Sequence, residues 1–344
     1  MRYRLLGKSG LRVSELCLGT MTFGEDWGWG SSQDESRQVY DAFLEAGGNF
    51  IDTANVYTNG TSEKLLGEFM AGHRDSIVLA TKYTNAAPGK DANAAGNHRK
   101  SMMLAVEASL KRLRTEYIDL YWLHIWDQIT PIEEVMRAFD DLVRQGKILY
   151  AGVSDMPAWL VAKANTLAEL RGWCSFVGLQ IEYSLIERTP ERDLLPMAAD
   201  LGVGVTAWSP LAGGVLTGKQ LEPGGAKDSR QANASMQQFL KSDARKEAIA
   251  REVVAVARES GHSPAQVALA WLRQRAEPVI PIIGARKLAQ VKDNLACVDV
   301  KLTPTQIDRL DAVSKIELGF PLDMFSKEMV RSLTSGGMRD QIDV

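Results

Sequence analysis

Apolar positions along this chain fall into two alternating kinds of run. Short, nearly continuous apolar stretches occupy Leu16–Thr20, Asn49–Thr53, Ile77–Lys82, Ile118–His124, Ile148–Ser154, Val177–Glu182, Val203–Ser209 and Val279–Gly284. Unbroken apolar character, rather than strict alternation, marks parallel strands buried on both faces. Between them lie amphipathic stretches with readable ends. Thr130-Pro131-Ile132-Glu133 offers an N-cap, a proline at the first helical position and a capping-box carboxylate. Ile132, Val135, Phe139 and Leu142 then keep one face apolar until Gly146 stops the helix. Ser263-Pro264-Ala265-Gln266 and Thr303-Pro304-Thr305-Gln306 repeat that start signal. Met103, Val106, Leu110 and Leu113 form a further stripe, whose methionine reads as core filler.

Strand starts recur roughly every 26 to 41 residues, except for a gap of about 76 between the seventh and eighth. Eight strand–helix units in series predict an α/β fold, a (β/α)8 TIM barrel. A doubly wound open sheet would place G-x-G-x-x-G after its first strand, whereas Leu18-Gly19-Thr20-Met21-Thr22-Phe23-Gly24 follows here. Upstream, Tyr3–Leu6 and Leu11–Leu16 flank Gly7-Lys8-Ser9-Gly10, a β-hairpin placed to plug the barrel bottom. The long connection after strand seven, residues 211–262, opens with Gly213, Gly214, Gly218, Gly224 and Gly225 and reads as a mobile cofactor flap, then a helix near Ala244–Glu259. Residues 314–344 form a tail. The whole chain, 1–344, is expected to be one domain with a core of about 16–300.

Composition narrows the classes further. With 45% hydrophobic and 24% charged residues, 29 Gly and 12 Pro, the chain is neither collagen-like, coiled-coil nor wholly disordered. A net charge of −3 and a pI near 5.9 provide no broad basic face, so nucleic acid is not an expected partner. Cys17, Cys174 and Cys297 cannot all pair, and none lies in a C-x-x-C arrangement, which points to a reducing cytoplasm. The opening Met1–Gly7 segment lacks the apolar region of a signal peptide, and no apolar run approaches the roughly 18 residues of a membrane span, so no membrane partner is expected. No pattern specifies an oligomeric state.

In such a barrel, functional groups stand where each apolar strand turns polar. The second run ends in Asp52, with Tyr57 five residues on; the third ends in Lys82, the fourth in His124, the fifth in Ser154-Asp155 and the sixth in Gln180-Ile181-Glu182-Tyr183. Singly, each has an ordinary use: Asp52 or Ser154 as a helix cap, Lys82 as a solvated rim charge, His124 as a satisfied polar residue. Their arrival at one mouth changes the reading, because a buried lysine requires a carboxylate. His73, His98 and His262 lie outside the strand ends without ligand spacing, so no metal is expected and a metal-dependent hydrolase or lyase is disfavoured.

The stretch from Asp52 to Glu63 (DTANVYTNGTSE), Ala80-Thr81-Lys82, Ile118–His124 and Gly152-Val153-Ser154 resemble, in order, the motifs of the aldo-keto reductase superfamily. The resemblance runs from about Leu5 to Val313 and is nearest to the bacterial branch that includes potassium-channel β-subunit-like proteins. It implies an NADPH-dependent enzyme that reversibly reduces aldehydes or ketones to alcohols. It further implies a catalytic tetrad on Asp52, Tyr57, Lys82 and His124. A phenol with a pKa near 10 is a reluctant acid, so Lys82 is expected to lower the pKa of Tyr57, while Asp52 keeps Lys82 charged and aimed. His124 is expected to orient the substrate carbonyl. Hydride from the nicotinamide reaches the carbonyl carbon as Tyr57 protonates the oxygen.

The same resemblance implies cofactor contacts. Gly19, Thr20 and Met21 follow the first strand; Ser154 and Gln180 face the carboxamide; Trp208 stacks on the nicotinamide. Ser209, Leu211 and Gly213, within Ser209–Gly214, hold the pyrophosphate, and Gly284, Arg286, Gln290 and Asn294 take the adenine end. Asp155 replaces the usual asparagine, and a carboxylate only accepts hydrogen bonds unless protonated. Arg286 at a helix start, next to Lys287 and with no acid in the turn, favours a 2′-phosphate and hence NADP(H). Trp27, Trp29 and Trp126 are candidates for an apolar substrate pocket, while the carbonyl compound itself is unspecified. A second function compatible with the resemblance is an NADP(H)-binding regulatory or redox-sensing subunit with slow turnover.

Overall fold

Each of the eight apolar runs becomes a barrel strand. The computed structural model describes residues 1–87, 89, 91–221, 243–277 and 279–342. An N-terminal hairpin of β1 (Tyr3–Leu5) and β2 (Arg12–Ser14) precedes β3 (Cys17–Gly19), β4 (Phe50–Asp52), β5 (Val78–Tyr83), β6 (Ile118–Leu123), β7 (Ile148–Ser154), β8 (Phe176–Glu182), β9 (Gly204–Trp208) and β10 (Val279–Gly284). Strands β3 to β10 pair in parallel in chain order, and β10 closes on β3, giving the predicted (β/α)8 barrel. Around it run α1 (Gln33–Glu45), α2 (Thr61–Phe69), α3 (Arg99–Leu113), α4 (Ile132–Arg144), α5 (Ala158–Arg171), α6 (Leu194–Leu201), α7 (Ala244–Ser260), α8 (Pro264–Arg273), α9 (Leu288–Leu295) and α10 (Pro304–Ser314).

Two apolar layers result. The outer one lies between the helices and the barrel wall. The inner one fills the barrel with Leu6, Val13, Cys17, Phe50, Val78, Ala80, Leu120, Trp122, Ile280 and Ile282. Leu6 and Val13 come from the hairpin, which therefore plugs the barrel as expected. At its turn Gly7 has φ +57°, and a Cβ there would meet Gly202 O at 2.6 Å, Gly204 N at 2.7 Å and Val177 O at 2.7 Å. Only glycine permits both that backbone and that approach. Trp122 fills the middle of the barrel against two glycines: a Cβ on Gly152 would lie 2.3 Å from its ring, and one on Gly178 2.8 Å.

Helix starts follow the sequence at α8 and α10, where Ser263 with Gln266 and Thr303 with Gln306 form complete capping boxes. The start of α4 differs. Thr130 does not cap it; its hydroxyl donates to Asp127 Oδ2 at 2.6 Å and its amide to Asp127 Oδ1 at 2.9 Å, and Pro131 precedes the first helical residue. The helix starts one residue later than expected, so Pro131 and not Thr130 holds the cap position, and the Glu133 carboxylate pairs with Lys163 at 2.8 Å. In α3 Met102 is fully buried and Met103 only partly so, one position off the expected stripe. After β9 the chain makes short helical turns at Ala212–Thr217 and Lys219–Leu221. The middle of the expected flap, 222–242, lies outside the described residues. Its expected helix is α7. The three cysteines are free. Among the described residues no helix is long and apolar enough to cross a membrane.

Candidate active site

The C-terminal end of β4 delivers Asp52 and that of β5 delivers Lys82, on neighbouring strands. Lys82 is completely buried. Its ammonium forms a short ion pair with Asp52 Oδ2, donates to Thr53 O at 2.7 Å and donates to Tyr57 Oη at 3.1 Å, so all three donors are engaged. Tyr57 lies beyond the strand and returns because Thr58, Asn59 and Gly60 adopt left-handed backbone (φ +46°, +54° and +88°). The Thr58 hydroxyl fastens that turn by donating to Phe23 O at 2.6 Å.

Electrostatics refine the expected roles. Burial alone would lower the Lys82 pKa, but Asp52 and Tyr57 more than reverse this and hold it above its ordinary value. For Tyr57 burial is the largest influence and pushes the phenol up, outweighing the downward pull of Lys82. Lys82 does pull the phenol down as expected, but burial outweighs it, so Lys82 moderates a rise and Tyr57 stays protonated at neutral pH.

His124 directly follows β6, its amide donating to Tyr83 O and to Thr84 Oγ1, each at 3.3 Å. Its ring meets that of Tyr57 edge-on, with centroids 5.9 Å apart and planes at 82°. Burial and then Lys82 push its pKa down to about 3, so the imidazole is neutral in the physiological range. Two residues that the sequence reading passed over stand behind it. Asn85 Nδ2 lies 3.3 Å from His124 Nδ1, and Asn55 Nδ2 donates to Asn85 O at 2.9 Å. The available signal was modest: Asn85 is polar and lies three residues past Lys82, but its aim depends on Thr84, whose φ of +99° is unusual for a β-branched residue.

The expected cofactor residues gather around the same mouth with differing freedom. Gln180 Nε2 donates to Asp52 Oδ1 at 3.0 Å, tying β8 to the ion pair and leaving the amide oxygen to accept. Ser154 is buried beside it, in register with Gln180. Asp155 is half-buried at φ +45° and accepts from Trp208 Nε1 at 3.0 Å. Burial, the largest influence, pushes Asp155 up to about 6 against the lowering effects of that bond and of Lys82. Asp155 and Trp208, but not Ser154 or Gln180, line a cleft of about 400 Å³ together with Pro157, Glu182, Glu187 and Pro190. Ser209 and Ala212 to Gly214 have left-handed backbone, yet the amides of Ala212, Gly213 and Gly214 already donate to Ser209 O, Ser209 Oγ and Leu211 O. Any phosphate held there meets a loop with part of its donor set engaged.

At the far end, Arg286 and Lys287 stand at the start of α9, just after Gly284 closes β10. Gln290 Oε1 accepts from the amides of Arg286 (2.9 Å) and Lys287 (3.2 Å), and Asn294 Nδ2 donates to Gly284 O at 3.4 Å. Both amides therefore build the turn that presents Arg286. Thr20 is sealed in the wall: its amide and hydroxyl donate to Asp52 O and its carbonyl accepts from Ser62. Gly19 packs against Ile282, and Met21 is half-buried in the loop beyond. Trp27 and Trp29 pair with centroids 5.7 Å apart, whereas Trp126 meets Trp159 of α5 at 6.1 Å, an aromatic the sequence reading did not single out. An aromatic face on Trp208 beside amide, hydroxyl and carboxyl groups, with two cations just past the end of the neighbouring β10, fits a nicotinamide dinucleotide carrying an extra phosphate. No group of three or more metal-ligating side chains occurs among the described residues.

Comparison with known proteins identifies the family. The model of the Aldo/keto reductase family matches residues 15–315. A putative aryl-alcohol dehydrogenase of Saccharomyces cerevisiae is 38% identical over 344 residues, covering 95% of this chain and 90% of its own. The norsolorinic acid reductase of Aspergillus flavus is 39% identical over 341 residues (96% and 85%). An aryl-alcohol dehydrogenase (NADP+) of Phanerodontia chrysosporium is 39% identical over 344 residues (94% and 89%). Matched along nearly its whole barrel and at such identity to these fungal enzymes, the chain belongs to the aldo/keto reductase family.

Proposed function

We propose that the protein is an NADP(H)-dependent oxidoreductase interconverting carbonyl compounds and alcohols, with Tyr57 moving the proton. The observation that carries this reading is the Tyr57 hydroxyl held 3.1 Å from a fully buried Lys82 that is itself paired with Asp52. Bound nicotinamide supplies or accepts the hydride. The chain does the rest. Neutral Tyr57 donates its proton to the oxygen that gains charge, and Lys82 stabilises the phenolate left behind. Asp52 keeps the ammonium charged in a buried site where it would otherwise be costly. His124, neutral and edge-on to Tyr57, aligns the carbonyl oxygen from the other side.

NADP(H) rather than NAD(H) is supported by Arg286 and Lys287 at the start of α9, and by the relative named for NADP+. Aryl compounds are the substrate class favoured by the tryptophans at the mouth, Trp27, Trp29 and Trp126, and by relatives named aryl-alcohol dehydrogenase. Treating 1–344 as one catalytic domain in the cytoplasm belongs to the same proposal, the location supported by three unpaired cysteines. Kinship with the bacterial branch near the channel-subunit proteins rests on the motifs, since the relatives compared are fungal. The test is NADPH oxidation followed at 340 nm with aromatic aldehydes for wild type and Tyr57→Phe. The variant is expected to lose turnover and keep NADPH affinity; near-wild-type turnover removes Tyr57 from the role.

A further inference from the structure

His124 is a neutral ring with two nitrogens, only one of which carries a proton, and only the protonated one can donate to a carbonyl oxygen. Nδ1 points back to Asn85 Nδ2 at 3.3 Å; Nε2 has no partner among the described residues. Asn85 is itself fixed: Asn55 Nδ2 donates to its carbonyl oxygen at 2.9 Å, and Asn55's own amide donates to Lys82 O at 3.2 Å. The left-handed Thr84 sets the chain direction immediately before it, and the Thr84 hydroxyl both receives the His124 amide and accepts from Asn97 Nδ2 at 2.9 Å. The end of β5 and the end of β6 are thereby sutured on both sides of the imidazole.

We propose that Asn85 is a positioning residue that fixes the tautomer of His124, its side-chain NH2 donating to Nδ1 so that the single ring proton resides on Nε2, where the substrate carbonyl is to be met. An amide NH2 facing a nitrogen requires a lone pair there, which is the Nδ1 of the Nε2–H form. The opposite tautomer would set N–H against N–H at Nδ1 and would offer the carbonyl oxygen a lone pair instead of a donor. Ring burial and Lys82 keep a second proton off, so the choice between the two neutral forms decides what His124 can do. Asn55 acts one residue further out, holding the strand end from which Asn85 projects.

The inference rests on His124 as the carbonyl-orienting group, and the experiment separates the two. Nitrogen-15 NMR of the imidazoles, assigned by a His124→Gln variant, is recorded on the full-length protein at pH 7. Wild type is expected to show His124 as the Nε2–H form. Asn85→Asp, nearly isosteric but offering only acceptors when ionised, is expected to place a proton on Nδ1. Asn85→Ala is expected to lose the hydrogen-bond shift on Nδ1 and about tenfold in kcat, with the NADPH dissociation constant unchanged. A wild-type ring protonated on Nδ1, or an Asn85→Asp ring still carrying its proton on Nε2 alone, overturns the proposal. A tautomer that responds while turnover with aldehydes does not upholds Asn85's part and counts against His124 as the orienting group.

Discussion

Asp155→Asn removes a charge that the fold resists holding. The wild-type carboxyl is half-buried at the end of β7 and sits at about 6 against an ordinary 3.8, chiefly through burial. Two units at about 1.4 kcal/mol each mean that folding disfavours the ionised form by about 3 kcal/mol. Because the folded-state value is the higher one, the native chain binds more protons than the unfolded chain across that interval. The group's contribution is therefore present below about pH 4 and lost as pH rises through about 6. Asparagine cannot ionise, yet its oxygen can still accept from Trp208 Nε1. The variant is thus expected to match wild type near pH 4 and to exceed it by about 3 kcal/mol at pH 8, roughly half of that gain arising between pH 5 and 8. Glu182 is pushed up to about 7 by burial, Glu187 and Asp155, so Glu182→Gln is measured alongside to separate the two titrations. Urea midpoints from pH 4 to 8 provide the assay, and a wild-type-to-variant difference that does not change with pH refutes the reasoning. At the cofactor, an ionised Asp155 favours the cationic oxidised ring, so Asp155→Asn is expected to raise the NADP+ dissociation constant relative to that of NADPH. Each 1.4 kcal/mol of lost interaction is a factor of about ten, and an unchanged ratio means that the carboxylate does not act on the ring.

Arg286→Ala is expected to weaken NADPH by tens-fold, from about 1.5–3 kcal/mol for a charge-assisted hydrogen bond, and to leave NADH nearly unaffected in fluorescence titrations. Equal losses for both would place Arg286 away from the 2′-phosphate. Gly152→Ala would put a methyl 2.3 Å from the Trp122 ring, which overpacks the barrel interior and should lower stability by about 1–3 kcal/mol in urea unfolding. An unchanged midpoint would mean that the indole can shift without penalty.

What the sequence made legible follows from locality. Strands buried on both faces must be apolar throughout, so all eight were readable within a residue or two, and Ser263 and Thr303 announced their helices because capping is a contact between residues three apart. Asp52, Lys82 and His124 could be singled out because they stand at strand ends, and Tyr57 with them because the motifs resemble a known family; the structure brings Asp52, Tyr57 and Lys82 into contact and sets the His124 ring against Tyr57. Thr130 misled because Asp127 holds both its amide and its hydroxyl in a turn of its own, and the helix starts one residue later than the pattern suggested. Asn85 was missed because its role depends on a left-handed Thr84 and on Asn55 thirty residues earlier, which no periodicity encodes. The lowering effect of Lys82 on Tyr57 was legible and the larger effect of burial was not, because a neighbouring charge can be named from sequence, whereas depth of burial cannot.

The packing of Trp122 between Gly152 and Gly178 constrains how this barrel can change over evolutionary time. The indole occupies the space that a side chain at either glycine would need, so substitutions at the three positions are not independent. A lineage that gains alanine at 152 first passes through a crowded, weakened intermediate, while one that first trades the indole for a smaller ring opens a void that a later methyl can fill. The order of mutations thus matters as much as their identity. Designers recombining strands from homologous barrels would do well to move β6, β7 and β8 as one cassette.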